Sequence, residues 1–345
     1  MSNKMKIRIR TYVFGINHGQ LLQARGMLEL LKRNFPDASI KFDLYHNHIL
    51  KELISQIKKL SFIKSVTLLI NWLYFCKFAW PFMQRDMTIF GSDTIWMHNH
   101  PVAPNDVFFF GADLNGGLLI SVCPSNAGSA YPSSKMMRSL LKKFKFVGVR
   151  DNHTAKFVGD LVNQSVNIVC DPAFFIDRNI KTENTKHDRL DQISVYANSC
   201  KKVNEKLNQI SNSLKDDSPT IYYLGYFPTF YINLGKQFLG LYGLLNEVEK
   251  SQLLITDTFH GVIMALMTKT PFILIKSDIV LSRLNGPILE CFDDFRICEL
   301  YQLSDCLQDG RYYRDDDLKS QKLVNFIEFS EKHISDNLKY LVESE

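Results

Sequence analysis

A histidine at the junction between an apolar run and a helical pattern is the residue in this sequence best placed to do chemistry. Residues 253–263 read LLITDTFHGVI, a buried strand that passes directly into a helix opening with Thr258, His260 and Gly261. An imidazole in the first turn of a helix lies beside backbone amides and the positive end of the helix dipole. It can bind an oxyanion or transfer a proton, although a single histidine is more often structural. We predict a functional role for His260.

Arg150 is a second candidate, because it follows the predicted strand at residues 146–149. A guanidinium at the end of a strand can make paired hydrogen bonds to a carboxylate or a phosphate. The alternative is a structural arginine paired with a neighbouring acid. Asp151 is placed to cap the next helix, and Asp171, which precedes Pro172, is interpreted as a turn former.

Two further segments place small and polar residues directly after a strand. Residues 15–23, GINHGQLLQ, carry two glycines in a turn that either binds anions or sugar hydroxyls or serves geometry alone. This turn lacks the third glycine of the dinucleotide fingerprint, so a nicotinamide cofactor is disfavoured. Residues 90–96, FGSDTIW, lead into a loop with His98 and His100, where no third ligand is apparent nearby. A polar loop is therefore favoured over a metal site.

The elements that must position these residues alternate between short apolar strands and helical patterns. Strands are predicted at residues 7–14, 40–44, 87–91, 118–122, 146–149, 166–169, 192–197, 220–224, 253–256 and 272–275. Such alternation indicates α/β architecture with parallel sheets. Because the polar run at 181–191 is the best linker, we expect two domains, residues 1–180 and 192–345. Ligands collect at the carboxyl ends of parallel strands, so we expect the site in a cleft between the domains.

The composition excludes several classes of protein. A hydrophobic share of 46% and a charged share of 22% exclude a disordered chain. The net charge of +5 is spread along the sequence, so nucleic-acid binding is not expected. Seven cysteines without a CxxC pair, and a start without an apolar signal core, favour a cytoplasmic protein. The apolar run at 62–83 contains lysines and Pro81, so we expect a core or interfacial helix rather than a membrane span.

Taken in order, these segments resemble the polysaccharide pyruvyl transferase family over nearly the whole chain. The resemblance continues through residues 269–275 and 282–284. His18 departs from it, standing where a bulkier aromatic is common, and residues 125–128 follow it only loosely. The matching motifs are Asn17-x-Gly19-x-x-Leu22-Gln23, Gly91-Ser92-Asp93-x-x-Trp96, Val149-Arg150-Asp151, Asp171-Pro172 and Asp257-x-Phe259-His260-Gly261.

This resemblance implies two Rossmann-like domains facing a cleft, as in GT-B glycosyltransferases. It also implies transfer of a pyruvyl group from phosphoenolpyruvate onto a sugar, as a ketal, with no metal and no cofactor. His260 would contact phosphate or act as general acid, Arg150 would clamp the donor anion, and Arg283 would be a weaker second clamp. The remaining expected substrate ligands are Thr258 and Gly261 on the donor side and Asn17, Gly19, Gln23 and Asp93 on the acceptor side.

The expected acceptor is a surface polysaccharide or its lipid-linked precursor, with a polyprenyl carrier as one possibility. In that case the 62–83 segment would offer a docking surface, and the protein would lie in the cytoplasm or peripherally at the inner face of the membrane. Two alternatives stay open at this point. One is a GT-B glycosyltransferase that uses a nucleotide sugar, and the other is a non-catalytic glycan-assembly protein.

Overall fold

The computed structural model describes the chain in thirteen segments, which group into two compact units. The first unit contains Met1–Ile16, Gln20–Asp177 and Asn325–Glu345, and the second contains Asn17–Gly19 and Arg178–Val324. The described segments are residues 4–12, 18–43, 85–98, 107–129, 135–163, 166–176, 190–198, 200–211, 220–224, 241–284, 287–292, 297–309 and 320–344.

The first unit is built on a six-stranded parallel sheet in the order β2-β1-β3-β4-β5-β6. Its central strands are buried along their whole length, as expected for a parallel sheet covered on both faces. The strands are β1 (Lys6–Arg10), β2 (Ser39–Phe42), β3 (Met87–Phe90), β4 (Leu118–Val122), β5 (Phe144–Val149) and β6 (Asn167–Ile168). The helices between them are α1 (His18–Asn34), α2 (Lys135–Leu141) and α3 (Asn152–Val162).

The second unit has its own parallel sheet of four strands, in the order β10-β9-β7-β8. Its core is formed by aliphatic side chains from β7, β9 and β10 and from the helices that cover them. The strands are β7 (Leu190–Tyr196), β8 (Thr220–Tyr223), β9 (Ser251–Thr256) and β10 (Phe272–Leu274). The helices are α4 (Cys200–Ser211), α5 (Leu241–Lys250), α6 (Phe259–Thr268), α7 (Asp278–Leu284) and α8 (Leu303–Gln308).

Each of the ten predicted strands is present, and the α/β prediction is confirmed. The strand order also reveals where each sheet can hold a ligand. In the first sheet the chain proceeds from β1 to β2 on one side and then crosses to β3 on the other. The second sheet repeats this pattern around β7, with β8 on one side and β9 on the other. Ligands bind at such topological switch points, outside the carboxyl ends of the two diverging strands.

The last described helix, α9 (Ser320–Glu343), lies mostly in a different unit from the one predicted for it. Residues 192–345 were expected to form one domain, but residues 325–345 belong to the first unit. Ser330 accepts a hydrogen bond from the backbone amide of Cys170 at 2.9 Å, and Glu331 pairs with Arg33 at 2.6 Å. The sequence could not reveal this because an amphipathic pattern defines an apolar face without saying which sheet the face will cover.

No helix in the described segments combines the length and the apolar character needed to cross a membrane. Most of the predicted linker at 181–191, and the whole apolar run at 62–83, lie outside the described residues. The expectations made for them stay predictions.

Candidate functional site

The turn that carries His260 lies at the switch point of the second sheet, where β9 passes into α6. Thr258 is the N-cap of α6, and its hydroxyl accepts a hydrogen bond from the Gly261 amide at 2.9 Å. Below it, the Thr256 hydroxyl donates to the Tyr196 carbonyl at 2.6 Å. A hydroxyl has one proton to donate, so the 3.0 Å contact between the two threonine oxygens must use the proton of Thr258.

This arrangement revises the expected roles of Thr258 and Gly261. Both were predicted to donate hydrogen bonds to substrate, but the cap uses the Thr258 hydroxyl proton and the Gly261 amide. Gly261 is also needed for space, because a Cβ there would lie 1.9 Å from the Thr256 hydroxyl oxygen. The two residues therefore fix the start of α6, and with it the position of His260.

The imidazole of His260 is buried against the start of α1. His260 is 4% exposed. Its ring packs edge to face against the ring of Phe259, with ring centroids 5.1 Å apart. A Cβ on Gly19 would lie 2.0 Å from Nδ1 of His260. Gly19 was predicted as a substrate ligand, which stays a prediction, and the structure shows that its lack of a side chain leaves room for the imidazole. Nothing local in the sequence signals this contact, because the two residues are distant along the chain.

Two more aromatic residues belong to this group and were missed as functional candidates. His18, the first residue of α1, meets the ring of Tyr196 edge to face, with ring centroids 6.1 Å apart. Burial lowers the pKa of His18 to about 4, so its imidazole is uncharged at neutral pH. Tyr196 ends β7 and is itself buried. The departure of His18 from the family pattern was the one sequence signal that could have identified it.

Asp257 ties the two diverging strands together at the same edge of the sheet. Its carboxylate accepts a hydrogen bond from the Asn198 amide at 2.6 Å, just beyond the end of β7. The carboxyl ends of β7 and β9 are thereby held together.

In the first unit, Arg150 lies in a buried polar cluster around Asp171. One oxygen of Asp171 accepts a hydrogen bond from Gln23 at 2.7 Å and lies 3.5 Å from Nη1 of Arg150. The other oxygen accepts from the Ala173 amide at 3.0 Å, which confirms Asp171 as a turn former. Burial disfavours the charged guanidinium, but the surrounding acidic groups, Asp171 first among them, outweigh it and raise the pKa of Arg150.

This geometry supports the structural alternative for Arg150 over the anion clamp. The Arg150 side chain is 1% exposed and pairs with an acid that is fully buried. Gln23, predicted as an acceptor ligand, is also fully buried and donates to the same carboxylate. A sugar hydroxyl at the surface could not reach either side chain in this arrangement. The sequence left the role of Arg150 undecided because its acid partner, Asp171, lies elsewhere in the chain.

Asp93 occupies the switch point of the first sheet, just beyond β3. It adopts a left-handed backbone conformation, with φ of 68°. Its carboxylate accepts hydrogen bonds from the Thr94 amide at 2.8 Å and from the Gln20 side chain at 3.1 Å. Asp93 thus stands at the expected edge of the sheet.

The structure describes only some of the other residues named from the sequence. Asn17, a predicted acceptor ligand, is outside the described residues, and so is His100, which was not predicted to bind a metal. Arg283 is partly buried on α7, which packs against α6. Among the residues that the structure does describe, no three His, Cys, Asp or Glu side chains come together as a metal ion would require.

Solved structures share this fold at low sequence identity. A candidate UDP-N-acetylglucosamine 2-epimerase of Listeria monocytogenes aligns at a TM-score of 0.56 and 13% identity, covering 99% of this chain and 98% of that one. MnaA of S. aureus in complex with UDP aligns at 0.53 and 15%, covering 99% and 97%. The Neisseria meningitidis UDP-GlcNAc 2-epimerase bound to UDP-GlcNAc aligns at 0.50 and 12%, covering 98% and 100%. These likenesses show the GT-B-type α/β fold.

Sequence comparison identifies the family. No curated protein sequence matches the chain. The family model described as polysaccharide pyruvyl transferase matches residues 17–279, a span that includes Gly19, Asp93 and His260. The match covers well over half of the 345 residues, and the chain belongs to the polysaccharide pyruvyl transferase family.

Proposed function

We propose that this protein transfers a pyruvyl group from phosphoenolpyruvate to a sugar of a surface polysaccharide or of its lipid-linked precursor, forming a ketal. The observation that carries the proposal is the position of His260. Its imidazole is buried in the first turn of α6, at the switch point of the second sheet. Family membership supplies the reaction class.

The chemistry requires a proton donor and a binding site for an anion. The methylene carbon of phosphoenolpyruvate gains a proton, the adjacent carbon becomes cationic, and a sugar hydroxyl bonds to it and loses its own proton. A second hydroxyl then displaces phosphate, which leaves with the electrons of the broken C–O bond and takes up the proton that this hydroxyl loses. His260 is the proposed general acid for the first proton. The positive end of the α6 dipole favours the donor anion at this position.

The proposed ligands for the donor anion and the sugar are residues that are not committed to buried contacts. Because Arg150 is committed to Asp171, the proposed anion ligand is Arg283, which is only partly buried on α7. On the acceptor side, Asn17 and Asp93 are the proposed ligands for sugar hydroxyls, since amide and carboxylate groups match them in hydrogen bonding. No step of this proposal uses a metal ion or a nucleotide.

A nucleotide-sugar glycosyltransferase is the second candidate, favoured by one observation. Two structures that share the fold hold UDP or UDP-GlcNAc. Their identity to this chain is low, so the likeness concerns the fold, and the donor has to be tested directly.

The experiment separates the two candidates by their donors. Thermal unfolding is followed with phosphoenolpyruvate, with UDP-sugars and with inorganic phosphate, because a ligand raises the midpoint by mass action. Phosphate release from phosphoenolpyruvate is then measured with lipid-linked sugar acceptors, and the ketal methyl group is detected by NMR. The expected result is stabilisation by phosphoenolpyruvate and acceptor-dependent phosphate release. Stabilisation by a UDP-sugar, without phosphate release, would replace the proposal with the second candidate.

A further inference from the structure

Two imidazoles, those of His18 and His260, contact residues at the switch point of the second sheet, and the proposed reaction uses only one of them. His18 immediately precedes Gly19, whose Cα lies against the ring of His260. The ring of His18 also rests on Tyr196, the last residue of β7. The Tyr196 carbonyl in turn accepts the hydroxyl of Thr256, which supports the cap of α6. His18 and His260 are thus linked through Gly19 and through the contacts between Tyr196 and the cap of α6.

The Nδ1 atom of His18 is buried and makes no hydrogen bond within the described segments. Leaving a buried polar atom unsatisfied costs about 1–3 kcal/mol, so such an atom calls for an explanation. A bound hydroxyl would supply the missing partner. Burial also lowers the pKa of His18 to about 4, so the ring is uncharged at neutral pH and can accept a hydrogen bond or a proton.

We propose that His18 is a further catalytic residue, which holds the attacking sugar hydroxyl and takes its proton as the new C–O bond forms. This inference rests on the proposed pyruvyl transfer. His260 gives a proton to the methylene carbon of phosphoenolpyruvate, the sugar oxygen bonds to the adjacent carbon, and the O–H bond breaks with its proton passing to a ring nitrogen of His18. No oxidant or reductant is required.

Proton donation by His260 and proton uptake by His18 need opposite protonation states of the two imidazoles. Two titratable groups in different environments can have different pKa values and so meet this need. An acid must be protonated before the reaction, and a base must not be. A weak base is sufficient here, because the hydroxyl attacks a cationic carbon and becomes acidic only as the bond forms.

The test compares two changes at His18 with the same two changes at His153, which is exposed on α3. His18→Phe keeps the ring contact with Tyr196 but removes both nitrogens. His18→Asn keeps a polar group near the position of Nδ1 but cannot take up a proton. Initial rates are measured over phosphoenolpyruvate and acceptor concentrations, and acceptor binding is measured by calorimetry.

Both His18 variants are expected to lose about a hundredfold in kcat, the lower end of the usual contribution of a general acid or base, with an unchanged KM for phosphoenolpyruvate. Acceptor affinity should fall in His18→Phe and be retained in His18→Asn. The His153 variants should match the wild type. If His18→Phe fails to fold, the kcat of His18→Asn decides the matter.

Two results would overturn the inference while leaving the proposed function in place. One is a wild-type kcat in both His18 variants, and the other is a raised KM for phosphoenolpyruvate, which would assign His18 to the donor. A wild-type protein that releases no phosphate from phosphoenolpyruvate with any acceptor would instead reject the proposed function, and this inference with it.

Discussion

The Cα of Gly19 and the imidazole of His260 occupy adjoining space so tightly that a Cβ at position 19 would come within 2.0 Å of Nδ1. The imidazole is therefore held from two directions. The cap formed by Thr258 fixes the helix that carries it, and the glycine sets how far the ring can extend.

Gly19→Ala should remove activity without unfolding the protein. The new methyl group must displace the His260 ring, and a misplacement of about 1 Å can cost about a hundredfold in rate. Alanine itself is favoured over glycine inside a helix, which offsets part of the cost of this overpacking, so the protein should stay folded. The measurements are phosphate release and thermal unfolding. Gly116→Ala is the matched control, because a Cβ there meets no atom within 4 Å. Equal activity of the two variants would show that the contact has no part in function.

His260→Ala should lower kcat by about a hundredfold to ten-thousandfold, the usual contribution of a general acid. The variant should still fold, since the core of the second unit is formed by aliphatic residues of its strands and helices. Circular dichroism and phosphate release check the two parts of the prediction. A rate near that of the wild type would exclude His260 from the mechanism.

Thr258→Ala should weaken both the second unit and the site, because it removes the cap of α6. The expected loss of stability is about 1 kcal/mol, typical of an N-cap. Thr258→Ser keeps the hydroxyl and should restore stability and kcat together. Urea unfolding and initial rates provide the comparison. If the serine variant recovers stability but not turnover, the methyl group of Thr258 also contributes to the site.

Asp171→Asn should destabilise the first unit by about 3–5 kcal/mol, because it leaves the buried charge of Arg150 without its counter-ion. Asp160→Asn is the control, since Asp160 pairs with Lys156 at the surface and should cost about 0.5 kcal/mol or less. Urea unfolding measures both. The anion-clamp role of Arg150 would return if Arg150→Lys raised the KM for phosphoenolpyruvate while unfolding remained unchanged.

The stability of the wild type should fall relative to His18→Phe as the pH decreases. The pKa of His18 is lowered from 6.5 to about 4 in the folded protein, so below pH 6.5 the unfolded chain binds a proton that the folded chain does not. Between pH 7 and pH 5 the free energy of unfolding should therefore fall by about 2 kcal/mol more in the wild type than in the variant. Urea unfolding of both proteins at the two pH values gives the difference directly. A constant difference would mean that His18 titrates normally.

The sequence was sufficient for the elements and for the position of His260, because both follow from local patterns. A strand that breaks into a helix defines a turn, and parallel strands bring such turns to one edge of a sheet. It was insufficient wherever a role depends on a distant partner. Arg150 is an ion-pair residue because Asp171 is buried beside it, and Gly19 is a spacer because His260 lies opposite.

The same limit explains the revised roles of Thr258 and Gly261. Their types and spacing correctly predict a helix start, and a helix start presents donors. Whether those donors reach a ligand depends on what already accepts from them. Here the hydroxyls of Thr256 and Thr258 accept these donors themselves, and no pattern in the sequence reports that arrangement.

The return of α9 to the first unit has a consequence for how the protein is made. During synthesis the ribosome completes the whole second unit before it produces residues 325–345, so the first unit lacks α9 until the second unit has been made. Until then the amide of Cys170 lacks the Ser330 hydroxyl and the guanidinium of Arg33 lacks Glu331. For the same reason, a single proteolytic cut near residue 180 cannot release the first unit intact, because part of it would remain on the other fragment.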